Sequence, residues 1–562
     1  MRIGLIAEGG YPYVSGDARL WCDRLVRGLG QHEFDIYALS RSERQEDEGW
    51  VPLPPQVSRV RTASLWTAED DGVVHGRRAR RRFAEHYGAL AAVLCAGGDR
   101  GADGASETPS ALQADRFGNA LYGLAELARD EGGLVGALRS EIAVRTLERA
   151  CRARDAMRAV REARVPDLLA VAAHLERALR PLSFVWYEDD GLGAADLIHA
   201  TSGGTAALTG LLARHFCDAP LLLTEYGVRL RTHYLAGTGA PPAVRALLAG
   251  FHGALAAEAY HRAAVITPGN AHARRWQERC GADRSKLRTV YPGMDASRFA
   301  EVGEASSCAD PDTLVWVGRV EPAKDLVSLL HAFAEVRKEE PKTRLRIVGA
   351  PAGPEGEAYL GHCRALAAQL FPDEADGPHT VGDNPVSFEE IGGPLLPSLA
   401  DAYASGAVTV LSSVVEGFPV GLVEAMLCGR ATVSTDVGAV VEVIGGTGLV
   451  VPPRNPRALA EACVALLRDP ERRERLGAAA RARALELFTV EQNVAAFHGI
   501  YLDVVAGTPV RRVVLDDAGA PLPFGVPAEA HVPGHWTNRL HTGPGTTPSA
   551  RTPGVPTPEG AR

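Results

Sequence analysis

The chain has 562 residues, 46% hydrophobic and 23% charged, a globular composition that excludes a collagen-like or largely disordered protein. Its 60 basic and 69 acidic side chains leave a net charge of −9, so no general field draws it to nucleic acid or an anionic membrane. At ordinary domain sizes the length predicts roughly three or four units, fewer if they are large.

Nine cysteines, at positions 22, 95, 151, 217, 280, 308, 363, 428 and 463, contain no C-x-x-C pair. Their odd number and spacing argue against a disulfide framework or zinc ribbon and fit a reducing compartment. The opening MRIGLIAEGG has an apolar run too short for a signal peptide and reads as a buried strand. No run of about 18 apolar residues occurs, so no membrane span is expected, and the predicted location is the cytoplasm. Of the 60 basic residues only Lys286, Lys324, Lys338 and Lys342 are lysines, leaving 56 arginines. A lysine inside a motif is therefore not a default surface charge.

In chain order, a strand from Arg2 to Ala7 is followed by a loop with Gly9, Gly10, Pro12 and Gly16. An amphipathic helix from about Ala18 to Leu29 and a strand from Phe34 to Leu39 complete a β-α-β opening of a doubly wound sheet. Residues 41–135 read as irregular; the arginines at 77, 78, 80, 81 and 82 read as a solvated face, and 97–110 as a loop. From about Ser140 to Arg164 the chain reads as an arginine-rich helix with i,i+4 pairs Glu141/Arg145 and Glu148/Arg152. Strands follow at Leu197–Ala200, Leu221–Thr224 and Val265–Thr267, with helices at Thr205–Arg214, Pro242–Tyr260 and Asn270–Cys280.

A second alternating series has strands at Leu314–Val317, Leu345–Val348, Val408–Leu411 and Thr432–Ser434. Helices at 456–468, 471–487 and 490–505 close it, and residues 508–562 read as a disordered tail rich in Pro, Gly and Thr. The predicted architecture is α/β, with two doubly wound Rossmann-like domains facing a cleft. The predicted divisions are 1–290, with a helical insertion at about 60–190, then 291–487, a closing helix at 488–507, and the tail.

Two segments carry the chemistry. In EGFPVGLVEAMLCG, 416–429, Glu416 sits in a strand-to-helix loop, and Pro419 suits a first helical turn. Val420 and Gly421 are expected to offer backbone N–H groups to an anion, and Glu424 lies one turn in. Two carboxylates around a helix start that binds phosphate suit a nucleotide sugar, since a carboxylate accepts from both hydroxyls of a vicinal diol. In VGRVEPAKDL, 317–326, Arg319 and Lys324 flank a loop and can neutralise a diphosphate leaving group.

These motifs, GR-x4-K and a later E-x7-E, resemble the retaining GT-B glycosyltransferases of family 4. The segments EGGYPYVSG, IHATSGG and LLTEYG resemble the branch typified by the Pel-polysaccharide glycosyltransferase, which has an extended N-terminal domain and uses UDP-glucose. The resemblance implies that Arg319 and Lys324 bind the diphosphate, Glu424 the ribose and Glu416 the donor sugar. It also implies that the backbone of Gly417, Phe418, Pro419, Val420 and Gly421 lies against the donor, and that the Gly16 loop closes over the phosphate and acceptor. His199, Tyr226 and Arg231 become acceptor-side candidates, with a satisfied core histidine at a strand end an equal reading of His199. Neither a metal nor a cofactor is expected beyond the nucleotide-sugar substrate. The implied partners are a hydroxyl acceptor and a polysaccharide-synthesis membrane complex, with no nucleic acid. The chain departs from the family at Asp17 (usually Gly), Tyr226 (usually His), Thr232 (usually Glu) and His233 (usually Arg). Those departures leave a nucleotide-sugar-binding pseudoenzyme open as the alternative.

Overall fold

The structure is a computed structural model that describes residues 1–16, 18–68, 71–96, 111–236, 239–304, 310–372, 384–393 and 396–508. Asp17, Cys308, the expected loop at 97–110 and the expected tail from 509 onward lie outside the described residues.

Among the described residues, twelve parallel strands form two sheets. The first contains β1 (Arg2–Glu8), β2 (Glu33–Ser40), β3 (Val57–Ser64), β4 (Leu197–Ala200), β5 (Leu221–Glu225) and β6 (Val265–Pro268). Its order is β3-β2-β1-β4-β5-β6. The second contains β7 (Thr313–Val317), β8 (Arg344–Val348), β9 (Val386–Glu389), β10 (Val408–Leu411), β11 (Ala431–Thr435) and β12 (Leu449–Val451). Its order, β12-β11-β10-β7-β8-β9, repeats the first. In each sheet the strand order reverses between two central strands, β1 and β4 or β7 and β10. A crevice opens outside the carboxyl ends of such a pair.

Helices cover both faces of the central strands; β4, β5, β7, β10 and β11 are buried at every residue, polar ones such as His199, Thr224 and Thr409 included. The strands that patterning missed, β3, β9 and β12, all lie at sheet edges, where half-exposed positions admit Arg59, Arg61 and Glu389.

Residues 41–135 are not irregular. They hold β3 and the helices Arg77–Cys95 and Ala111–Glu131. Ala79, Phe83, Tyr87, Leu90 and Leu94 recur at helical spacing and are buried, a pattern hidden by the interleaved arginines. Arg77, Arg78, Arg80 and Arg81 are exposed, as a solvated face requires. The expected helix from Ser140 to Arg164 is interrupted. It runs Glu141–Cys151, and Pro166 then opens a new helix, Val165–Ala178. Glu141 and Arg145 pair at 2.5 Å, but Arg152 donates to the Arg161 and Ala163 carbonyls instead of pairing with Glu148.

The last helix, Val490–Gly507, returns to the first sheet. Phe497, Ile500, Tyr501 and Val504 pack with Ile3, Leu5, Cys22 and Ile36 in one core. The chain crosses between the two units as two adjacent strands of backbone: the Met294 N–H donates to the Phe488 carbonyl at 2.7 Å, and the Val490 N–H donates to the Met294 carbonyl at 3.1 Å. Asn493 fastens this crossing. Its Oδ1 accepts from Trp21 Nε1 (3.2 Å), while its Nδ2 donates to the Tyr291 carbonyl (2.6 Å) and the Tyr226 hydroxyl (3.3 Å). Asn493 is 5% exposed, so truncation strands buried polar partners. Asn493→Ala is expected to lower stability by about 1–3 kcal/mol, read as a fall in Tm; an unchanged Tm would contradict this account of the crossing.

Candidate active site

Lys324 and Glu416 both stand on loops that leave the carboxyl ends of β7 and β10. After β7, residues Pro322–Lys324 form a single tight turn, and Asp325 reverses the chain in the left-handed region at φ 48°. Asp tolerates that conformation, and its side chain accepts from the Ser328 N–H at 3.2 Å, capping the next helix. The loop after β10 straps this turn: Ser412 Oγ donates to the Lys324 carbonyl at 2.7 Å, and the Val414 N–H donates to the Ala323 carbonyl at 2.9 Å.

That strap brings together two residues far apart in sequence. Lys324 Nζ donates to Glu416 Oε1 at 2.5 Å, and Ser413 Oγ donates to the same oxygen at 2.8 Å. The side chains are 17% and 10% exposed, so the pair is shielded yet reachable from the crevice. The Glu416 backbone is fixed as well. Gly438 stands at φ +59°, and a Cβ there would lie 2.4 Å from the Glu416 carbonyl oxygen. Arg319, on the same β7 loop, is exposed, with no side-chain partner found among the described residues.

Beyond Glu416, Gly417 and Phe418 lead to the helix Val420–Leu427, with Pro419 as its N-cap and not in its first turn. The Val420 N–H, expected to be free for an anion, is engaged by the Phe418 carbonyl at 3.0 Å, because the loop tightens before the helix begins. Phe418 packs near the rings of Tyr291 and Phe488. A Cβ at Gly421 would lie 3.3 Å from the Tyr403 hydroxyl, so the helix start sits close to that ring. Tyr403, fully buried, donates to Glu424 Oε2 at 2.9 Å.

The first unit supplies less than its sequence implied. Gly16 is required where it stands: φ is +126°, and a Cβ would lie 2.1 Å from the Gly9 carbonyl oxygen, so the loop folds tightly over the end of β1. Arg231 does reach across, donating to the Glu416 carbonyl at 3.2 Å. Burial lowers its pKa, with Glu416 acting the other way. His199 is not an open acceptor-side group. It is fully buried in β4 and shares hydrogen bonds with Tyr501 Oη and Thr224 Oγ1, both at 2.7 Å. Burial pushes its pKa down to about 3, so it is a neutral core histidine. Tyr226 packs edge-on against Trp21 and keeps its hydroxyl on Asn493, and burial pushes its pKa up.

Patterning missed Glu8 at the end of β1. Its carboxylate accepts from Arg41 (3.0 Å), Ser202 Oγ (3.1 Å) and the Thr205 N–H (2.9 Å). Burial alone would raise its pKa, but Arg229, Arg41 and these donors hold it at about 2. Only the EGG that ends the first strand signals it. Arg24 was missed too: it donates to the Gly293 carbonyl at 3.0 Å, and its charge is felt by Glu424. Among the described residues no cluster of His, Cys, Asp or Glu is arranged to hold a metal ion. A separate cavity of about 1190 Å³ lies away from this crevice, beside helices Leu326–Glu339 and Pro456–Leu467. Two of its cations, Lys338 and Arg457, are already paired, with Glu335 and Glu461.

Burial holds the Glu424 carboxyl above its ordinary value of 4.5, while the Tyr403 hydrogen bond and the charges of Arg298 and Arg24 act the other way. A carboxyl with a raised native pKa holds its proton longer in the native than in the unfolded chain. Stability therefore falls as pH climbs from 4.5 through the raised value, then levels. Glu424→Gln removes that loss, so the Tm of the variant relative to wild type should widen through this window and stay constant above it. A difference independent of pH would contradict the assignment.

Known proteins give this geometry a context. Residues 1–285 match a family described as a domain of unknown function, DUF3492, and residues 311–469 match the glycosyl transferases group 1 family. The chain is 31% identical over 240 residues to the D-inositol 3-phosphate glycosyltransferase of Streptomyces bingchenggensis, covering 40% of this chain and 50% of that one. It is 31% identical over 210 residues to the GDP-mannose-dependent alpha-(1-6)-phosphatidylinositol monomannoside mannosyltransferase of Mycolicibacterium smegmatis, covering 36% and 52%. The chain thus spans about half the length of these curated relatives. Sucrose-phosphate synthase from Thermosynechococcus elongatus superposes with a TM-score of 0.53 at 16% identity, covering 90% of this chain and 99% of that one. That likeness and the two matching sheets identify the fold as GT-B. With half of its length matched over residues 1–285, the chain belongs to the DUF3492 family and carries a glycosyl transferases group 1 domain after it.

Proposed function

We propose that the chain is a retaining glycosyltransferase that moves a hexose from a nucleoside-diphosphate sugar to a hydroxyl acceptor. The observation that carries this reading is the convergence of Lys324 and Glu416 at the β7/β10 crevice, 2.5 Å apart and preorganised by Ser412, Ser413 and Gly438. In the free protein the pair keeps each charge compensated. When a donor binds, Lys324 and Arg319 face the diphosphate, while Glu416 accepts from sugar hydroxyls and Glu424 from the ribose.

The chemical step breaks the bond between the anomeric carbon and the diphosphate oxygen. The acceptor oxygen bonds to the same face of that carbon, and its proton passes to the departing phosphate oxygen. Negative charge grows on the diphosphate, so fixed cations lower the barrier more than they tighten ground-state binding. UDP-glucose as donor and a Pel-like role in polysaccharide synthesis rest on the likeness of EGGYPYVSG, IHATSGG and LLTEYG. GDP-mannose, which appears in the name of one relative, is the direct competitor.

A second reading, a nucleotide-sugar-binding pseudoenzyme, is favoured by Tyr226, whose hydroxyl is committed to Asn493 and whose ring cannot carry positive charge. Transfer assays decide between them: turnover of many donor equivalents by the wild type eliminates the pseudoenzyme, and activity gained only by Tyr226→His supports it.

The proposal is tested by a Tm and calorimetry panel of UDP-glucose, GDP-mannose and ADP-glucose, run without acceptor. A true donor at 100-fold above its Kd should stabilise the protein by about 2.7 kcal/mol. Lys324→Ala and Glu416→Ala should each lower transfer by about 100-fold or more. Full activity in both variants would refute the site.

A further inference from the structure

The helical insertion of the first unit brings two thiols together where two helices end. Cys95 is the last residue of the helix Arg77–Cys95, and Cys151 is the last of the helix Glu141–Cys151. Their sulfurs lie 3.7 Å apart, although 56 positions separate them in the chain. Both are free thiols in the core of the first unit; Cys95 is 2% exposed and Cys151 fully buried. The two helices also approach closely further back, since a Cβ at Gly88 would lie 3.4 Å from Thr146 Cγ2.

The backbone around the thiols holds them in contact. The Met157 N–H donates to the Cys95 carbonyl at 2.9 Å, and Ala96 pairs with Ala156 as an antiparallel bridge. The chain leaving one cysteine is thereby tied to the chain beyond the other. On its far side the junction rests on the helix Pro242–Arg262, where a Cβ at Gly250 would lie 2.7 Å from the Leu94 carbonyl oxygen. The two sulfurs are unequal. The hydrogen bond from Cys95 lowers the Cys151 pKa below its ordinary value of 9.0 and raises that of Cys95; burial opposes the fall at Cys151, and Arg152 favours it. Cys151 is the readier thiolate, and the thiolate is the form that reacts with an oxidant.

We infer that Cys95 and Cys151 form a reversible redox pair whose disulfide staples the helical insertion. The sulfurs must close to about 2 Å. At helix ends, side-chain rotation and a small backbone shift supply that movement. The oxidant is a peroxide, small enough for the narrow opening at Cys95. The Cys151 thiolate attacks one peroxide oxygen, becomes a sulfenic acid and releases hydroxide. Cys95 then attacks that sulfur, and its proton leaves with the sulfenic oxygen as water, so two electrons pass from the sulfurs to the peroxide. A thiol reductant restores both thiols by exchange. The closed loop contains the helix Ala111–Glu131, and restricting it in the unfolded chain stabilises the folded insertion. This pairing does not depend on the glycosyltransferase reading.

The test treats the full, reduced chain with hydrogen peroxide at neutral pH, alkylates the remaining thiols and maps cross-links by mass spectrometry. No donor or acceptor is needed. The Cys95–Cys151 disulfide should be the main product, should vanish on adding dithiothreitol, and should raise the Tm by at least about 2 °C. Cys95→Ser and Cys151→Ser should each abolish that rise. The wild-type cross-link map uses no variant, so it decides the matter even where a serine variant fails to fold. Four results would each overturn the pairing: alkylated Cys95 and Cys151 with no cross-link, oxidation that stops at a sulfinic acid, cross-links scattered over the other cysteines, or a disulfide that leaves the Tm unchanged. A Tm rise that persists in Cys95→Ser would overturn it as well.

Discussion

The geometry of the candidate site depends on one ion pair held at the point where a sheet reverses its strand order. Lys324 and Glu416 come from loops after β7 and β10, and only the adjacency of those strands lets them meet. A buried pair left to itself gains little, because desolvation offsets attraction. Here the surroundings supply what the pair lacks. Ser413 satisfies the same carboxylate oxygen, Ser412 and Val414 pin the lysine turn, and the glycine at 438 lets the backbone close over Glu416. The result is a preorganised pair of opposite charges beside an open crevice, suited to a ligand that carries both phosphate and hydroxyls.

The second constraint is how the two units stay in register. The last helix buries its apolar face in the core of the first sheet, and Asn493 ties Trp21, Tyr226 and Tyr291 at the crossing. Arg24 and Arg231 add contacts from the first unit to the Gly293 and Glu416 carbonyls. Both donors are guanidinium groups, so each of these bonds is charge-assisted and contributes about 1.5–3 kcal/mol.

Much of this was legible in the sequence, for physical reasons. Buried central strands are mostly apolar, so Val408–Leu411 and Leu197–Ala200 could be read with correct bounds. Edge strands such as Val57–Ser64 alternate with arginines and resemble loops. The motifs around Lys324 and Glu416 were visible because lysine is scarce and because the glycines and proline cluster after a strand. Their direct contact was not visible, since it depends on which strands pair. His199 could be read equally as an acceptor-side group or a satisfied core histidine, because the last helix that brings Tyr501 onto it is remote in sequence. Glu8 was illegible because its surroundings are assembled from elements separated by long stretches of chain.

The scarcity of lysine makes the central claim open to direct measurement. With isotopically labelled lysine, the chain yields four side-chain NMR signals, from Lys286, Lys324, Lys338 and Lys342. On addition of UDP-glucose or GDP-mannose to saturation, the account predicts that the Lys324 signal moves with at least one of them as its partner changes from Glu416 to a diphosphate, while the other three stay in place. A Lys324 signal indifferent to both donors would contradict it.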